Sequence, residues 1–204
     1  MIEYTYETED SRDIYETYEW DNTWLEQANN ATADRVLYIG DSISCQIRQF
    51  ATKASDGKLL FDGYGSSKGI DNPYLKDSIR LFAAQQGTRK VVLFNNGLHG
   101  WHLTEDEYKI YYDKIVSFLI DEFKDVPLVL VLTTHIGDEE REKRVVARND
   151  VVLEIANKYN LKVIDLYSES LKLHEHLDEY GVHFDEFGNM TLAKKIVSEI
   201  ITKE

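Results

Sequence analysis

RVLYIGDSIS, residues 35–44, decides the fold. Its apolar run stops on Gly40-Asp41-Ser42 and passes at once into a segment of helical period. A buried strand that ends on a small turn and opens a helix is the first unit of a parallel sheet with helical crossovers. The same rhythm recurs downstream, where the spacing predicts strands at 58–63 (KLLFDG), 90–95 (KVVLFN), 127–134 (PLVLVLTT) and 162–167 (KVIDLY) after the first at 35–40. Helical patterns fill the intervals. Asp71-Asn72-Pro73 is an N-terminal signal, Thr104 to Glu107 is a capping box, and amphipathic runs cover 143–158 and 188–202. Strands this continuously apolar need cover on both faces. The expected fold is therefore α/β, in three α/β/α layers around a mostly parallel, five-stranded sheet.

Upstream of this pattern, residues 1–34 are acidic and aromatic, with Trp20 and Trp24 inside YEWDNTWLEQANN and no strand period. They are expected to form an arm with a short helix whose aromatic residues patch the outside of the main domain, residues 35–204. A substrate lid is the alternative. The 204 residues, 43% of them hydrophobic, suffice for one core. A net charge of −14, from 37 acidic against 23 basic residues, argues against nucleic acid or an anionic membrane as partner. Cys45 is the single cysteine, so no intrachain disulfide forms. The opening MIEYTYETEDSRD has neither a basic start nor an apolar signal core, which makes the cytoplasm the expected location and a secreted mature form the alternative. No apolar run approaches membrane-spanning length.

In open parallel sheets, reactive groups gather beyond the carboxyl ends of the strands. Here those positions are Gly40 to Ser42, Gly63 to Gly69, Asn95 to His99, and Thr133 to His135. A serine that starts a helix faces the crevice, where free backbone N–H groups can hold an oxyanion. Asp41 or Ser42 can equally serve only as the helix cap. The tail DEYGVHFDEFGNMTLAKKIV, residues 178–197, then adds a histidine in a short turn ahead of the last helix.

Together these ends resemble the SGNH hydrolases of the GDSL type. Gly40-Asp41-Ser42 matches the first block, with Ile43 where leucine is usual. Gly181-Val182-His183-Phe184, followed by Gly188 and a helix, matches the last, and the resemblance spans residues 35 to 200. It implies a flavodoxin-like fold and serine esterase chemistry that needs neither cofactor nor metal, acting on a small-molecule ester, with an acetylated carbohydrate as the suggested substrate class. By that resemblance Ser42 is the nucleophile and His183 the general base. The oxyanion hole would combine the Ser42 N–H, an N–H of Gly65 or Ser66 within GYGSSKG, and the side chain of Asn96, with Asn95 as the alternative. The loop carrying those asparagines reads NNGLHGWH and is similar to a subset of the family.

Tyr180 occupies the position of the family's aspartate, and three arrangements are open. A backbone carbonyl orients His183 and leaves a Ser-His dyad; Asp178 or Asp185 substitutes for the missing acid; or the protein binds its ligand without cleaving it. Asp41, Ser66, His99, Trp101 and His135 are expected to line the substrate cleft. His99 with His102, and His174 with His176, lack the matched carboxylate or cysteine of a metal site. GYGSSKG departs from the dinucleotide fingerprint, because its third glycine is one residue late and no helix opens on it. Arg148 and Asn149 read as solvated or helix-packing residues. The rival functions are a non-catalytic carbohydrate- or ligand-binding protein on the same fold and a nucleotide-binding flavodoxin-like domain.

Overall fold

A computed structural model describes residues 14–16 and 18–201. The opening segment MIEYTYETEDSRD and the last residue of the predicted C-terminal helix lie outside the described residues. Six strands form one sheet among those described: β1 (Asp21–Trp24), β2 (Asp34–Gly40), β3 (Leu59–Ser66), β4 (Val91–Phe94), β5 (Leu128–Val131) and β6 (Lys162–Ile164), in the order β1-β3-β2-β4-β5-β6. All neighbours from β3 to β6 run parallel, and β1 is antiparallel to β3.

Alternate residues of one strand enter two different cores. Val36 and Tyr38 pack with Ile43 and Ile47 of helix α1 (Ser42–Ala54) and with Leu192 and Ile196 of α6 (Glu186–Ile200). Leu37 and Ile39 pack with Ile79 of α2 (Leu75–Gln86), Ile115 of α3 (Glu105–Glu122) and Val152 of α4 (Glu139–Tyr159). This two-sided burial is why the strand reads as an unbroken apolar run, each such side chain contributing about 1.5–3 kcal/mol. The capping box at Thr104 is present as the sequence predicts. At the start of α2 the Asn72 side chain instead bonds the Tyr74 N–H at 3.0 Å, so that helix begins at Leu75 beyond Pro73. After β6, a short helix α5 (Tyr167–Ser170) leads into a 3₁₀ turn, Leu171–His176.

Two expectations are corrected. The sheet has a sixth strand, and it comes from the described part of the arm. β1 carries no strand period because it is an edge strand with four exposed residues, held by its backbone pairing from Asp21 with Ser66 to Trp24 with Gly63. The second correction is the length of β3, which continues past residue 63 through Gly-Tyr-Gly-Ser. Those glycines admit α1 against the strand: a Cβ on Gly63 would lie 2.6 Å from Arg48 Nη1, and one on Gly65 only 2.1 Å from Cys45 Sγ.

Candidate active site

Asp41 and Ser42 divide the two roles that the sequence left open. Asp41 is the N-cap of α1, its Oδ1 accepting the Ile43 N–H at 3.1 Å, and it is fully buried rather than lining the cleft. Ser42, the first residue of the helix, keeps its hydroxyl for another partner. That partner is His183, whose Nε2 lies 2.9 Å from Ser42 Oγ across 141 residues of chain.

His183 sits in a loop tied at several points. Leu177 and Phe184 form an isolated antiparallel bridge, the Asp178 N–H donates to the His183 carbonyl at 2.8 Å, and the Gly137 N–H donates to the Gly181 carbonyl at 2.7 Å. Gly181 has φ +71°, and a Cβ on it would lie 3.2 Å from the Gly137 Cα, so the left-handed backbone and the close approach both favour glycine. Within this loop Asp178 Oδ1 accepts the N–H groups of Val182 at 3.1 Å and His183 at 3.3 Å, while Oδ2 stands 3.3 Å from His183 Nδ1. The Asp178 carboxylate thus stands within ion-pair distance of the second ring nitrogen. Of the other two candidates, Asp185 caps α6 through the Gly188 N–H and pairs with His176 at 2.9 Å, and Tyr180 is 57% exposed. The chain bends at Gly181, which is why an acid five positions before the histidine reaches a ring that offset alone could not assign to it.

The asparagine loop is organised from below. Asn95 turns its amide to Val131 O (3.2 Å) and Thr133 Oγ1 (3.1 Å), so its donors serve β5 and the chain after it. Asn96 donates one amide proton to Lys68 O at 3.0 Å, and its backbone carbonyl accepts the Tyr108 hydroxyl. Gly97 lies against Thr133, where a Cβ would meet Oγ1 at 1.9 Å. Arg148, fully buried on α4, donates to the carbonyls of Gly97, His99 and Gly100 at 2.8–2.9 Å and lies over the rings of Trp101 and Tyr108. Burial pushes its pKa down to about 10, leaving it cationic at neutral pH. Asn149 clamps both backbone groups of Thr133. The sequence reading of these two as solvated or packing residues missed this, because a guanidinium gives no signal in periodicity of the carbonyls it will meet.

A cleft of about 460 Å³ opens beside Ser42 and His183, lined by Trp20, Asp21, Asn22, Cys45 and Gln46 as well. The arm thus contributes Trp20, Asp21 and Asn22 to the cleft, while Trp24 stays exposed with the Arg48 guanidinium over its ring. The signal was the aromatic and polar cluster in YEWDNTW. Several residues expected at the cleft belong elsewhere. Gly65 is enclosed in the ladder, in register with Gly40 on one side and Asn22 on the other, rather than at an open loop. Ser66 is buried and bonds Asp21 Oδ1 at 2.7 Å. His99 is buried, with Nδ1 2.7 Å from Glu16 Oε1 and its ring edge-on to Trp20. His135 lies between Glu142 (2.7 Å) and His174 (2.8 Å). Trp101 borders a second, smaller pocket of about 220 Å³ with Leu98, Ile136, Arg141, Tyr180 and Val182. Among the described residues no three His, Cys, Asp or Glu side chains converge as a metal site, and no helix is long and apolar enough to cross a membrane.

By sequence, no family description and no curated protein matches the chain. Solved structures do. It superposes on a member of the lipolytic G-D-S-L family from Veillonella parvula with a TM-score of 0.68 at 18% identity, covering 82% of this chain and 98% of that one. An acetyl xylan esterase matches with a TM-score of 0.65 at 20% identity over 82% of this chain and all of the other. An acetylxylan esterase from Geobacillus stearothermophilus gives 0.65 at 19% identity, over 83% and 95%. With its mostly parallel sheet, its serine after β2 and its histidine before α6, this chain has the fold of the GDSL-type SGNH hydrolases.

Proposed function

We propose that the protein is a serine esterase that hydrolyses a small acyl ester, such as an acetylated carbohydrate, through an acyl-enzyme. The observation that carries this is the contact of Ser42 Oγ with His183 Nε2 at 2.9 Å, with Asp178 Oδ2 at 3.3 Å from the other ring nitrogen.

In this reading Ser42 Oγ attacks the ester carbonyl carbon while His183 Nε2 takes its proton. Asp178 fixes the tautomer and stabilises the imidazolium that forms. The oxyanion is met by the Ser42 N–H, one of the unpartnered donors at the start of α1, and by the Asn96 amide proton not spent on Lys68 O. Collapse breaks the carbonyl–alkoxy bond, and His183 returns the proton to the leaving alcohol. Water then attacks the acyl-enzyme with His183 again as base, which releases the acid and restores Ser42. The acetylated-sugar substrate is supported by the acetyl xylan esterases that share the fold.

The test is turnover of p-nitrophenyl acetate by the wild type, Ser42→Ala and His183→Ala, with a fluorophosphonate followed by intact mass. Loss of turnover in both variants and one adduct on Ser42 are expected. Turnover that survives Ser42→Ala overturns the mechanism, and a folded wild type that neither turns over nor labels favours a ligand-binding protein.

A further inference from the structure

We infer that Glu16 and Asp21 of the arm are positioning residues for the oxyanion hole: they clasp the two segments that hold Asn96 and so fix the direction of its amide. This rests on the esterase reading, with Asn96 as an oxyanion donor, and gives the arm a part in the reaction itself.

Asn96 is buried, and one of its amide protons goes to Lys68 O at 3.0 Å. The direction of the other proton therefore follows from where that carbonyl stands. Ser66 ends β3, and the chain from Ser66 to Lys68 is tied to the arm at several points. The Ser67 N–H donates to Trp20 O at 3.2 Å, and Ser67 Oγ accepts the Trp20 N–H at 2.9 Å. Ser66 Oγ donates to Asp21 Oδ1 at 2.7 Å while accepting the Lys68 N–H at 3.1 Å. The Lys68 ammonium closes the set on the same Asp21 oxygen, also at 2.7 Å. On the other side of the site, three residues beyond Asn96, His99 Nδ1 lies 2.7 Å from Glu16 Oε1, with both side chains buried. The His99 ring also meets Trp20 edge-on, with centroids 6.0 Å apart.

The support of the asparagine loop is thus divided. Its main chain is held from the domain side, where Arg148 donates to the carbonyls of Gly97, His99 and Gly100. The Asn96 amide and the His99 ring are instead held through partners that the arm supplies or fastens. A donor in an oxyanion hole works by pointing at the place where charge will develop, so that nothing has to reorganise during the step. A displacement of about 1 Å in such a group can cost about 10²-fold in rate. If Lys68 O shifts, the Asn96 amide loses the acceptor that orients it, although the loop's main chain stays where Arg148 holds it. Glu16 and Asp21 touch neither the serine nor the histidine of the proposed mechanism, and act through Asn96.

The test measures kcat and KM for p-nitrophenyl acetate with Glu16→Ala, Glu16→Gln and Asp21→Ala, each made in the wild type and in Asn96→Ala. In the wild-type background the two alanine variants are expected to lower kcat by about ten- to hundredfold with KM within about twofold, and Glu16→Gln, which keeps an oxygen for His99, to recover most of the loss. In the Asn96→Ala background the same substitutions should change kcat by less than about twofold, because the group they act through is gone. Equal losses in the two backgrounds, or a loss confined to KM, overturns the assignment. NMR of Ser42→Ala gives a readout that depends neither on turnover nor on the folding of Asp21→Ala. The Asn96 side-chain amide, identified by its absence from Ser42→Ala/Asn96→Ala, should lose its protection from solvent exchange when Glu16→Ala is added, and unchanged protection overturns the proposal. An Asn96 amide that depends on Glu16 in a protein without any turnover leaves the clasp standing and refutes only the esterase reading.

Discussion

Asp178 Oδ2 stands 3.3 Å from His183 Nδ1, and the same carboxylate is gripped at Oδ1 by the N–H groups of Val182 and His183. Asp178 and His183 are thus parts of one tightly bonded loop, and in the proposed mechanism the carboxylate is aligned by the backbone of that same loop. Asp178→Asn keeps an oxygen for the two N–H groups but loses the charge behind the ring. The expected result is a fall of roughly 10²- to 10⁴-fold in kcat with an unchanged circular dichroism spectrum. Tyr180→Phe, at an exposed position, should change kcat by less than about threefold. A larger loss in Tyr180→Phe than in Asp178→Asn would reverse the assignment.

Arg148 is expected to be the main support of the asparagine loop. Removing its guanidinium takes a charged donor from three buried carbonyls, of which Gly100 keeps the Leu103 N–H at 3.1 Å, so Arg148→Met should cost about 3–5 kcal/mol in urea unfolding. Arg148→Lys keeps the charge but cannot fork to three carbonyls, and should recover only part of that stability. If Arg148→Met unfolds at the wild-type urea concentration, the loop is held by other means.

The closeness of α1 to β3 is set by the pair Gly65 and Cys45. A methyl group on Gly65 would lie 2.1 Å from Cys45 Sγ and 3.2 Å from the Asp41 carbonyl. Gly65→Ala should therefore destabilise by about 1–3 kcal/mol. In a Cys45→Ala background the sulfur is gone and the penalty should shrink by roughly 1 kcal/mol or more. Additive effects in this double-mutant cycle would show that the strain is relieved elsewhere.

The arm should loosen in acid. Burial alone would raise the Asp21 pKa, but its hydrogen bonds from Lys68, Tyr64 and Ser66 outweigh that and hold it below the ordinary 3.8. A carboxylate with a depressed folded pKa contributes stability that is fully present above 3.8 and is lost as the pH falls through the folded value. The stability difference between the wild type and Asp21→Asn should thus be constant near neutrality and close below 3.8. Urea titrations across that range measure it, and a difference that instead closes on the alkaline side would show that the Asp21 carboxylate is not the group being titrated.

Much of the sheet was legible because β2, β4 and β5 are buried on both faces, and burial on both faces writes itself into local composition. β1 was not legible, since an edge strand with exposed side chains is held by backbone bonds that any residue can make. The same division runs through the site. Ser42 and His183 belong to short local patterns, a strand-turn-helix start and a turn before the last helix, and both patterns are contiguous in the chain.

The α/β architecture and the candidacy of Ser42 and His183 were both readable in the chain, because both depend on contiguous patterns of burial and turn chemistry. The tertiary structure decided what surrounds them. That Asp178 rather than Tyr180 or Asp185 stands behind His183 follows from the bend at Gly181, and that Trp20, Asp21 and Asn22 wall the cleft follows from pairing β1 with the distant strand β3. Contacts of that kind depend on the direction in which a side chain leaves its backbone once distant segments have packed, and spacing along the chain carries no record of that direction.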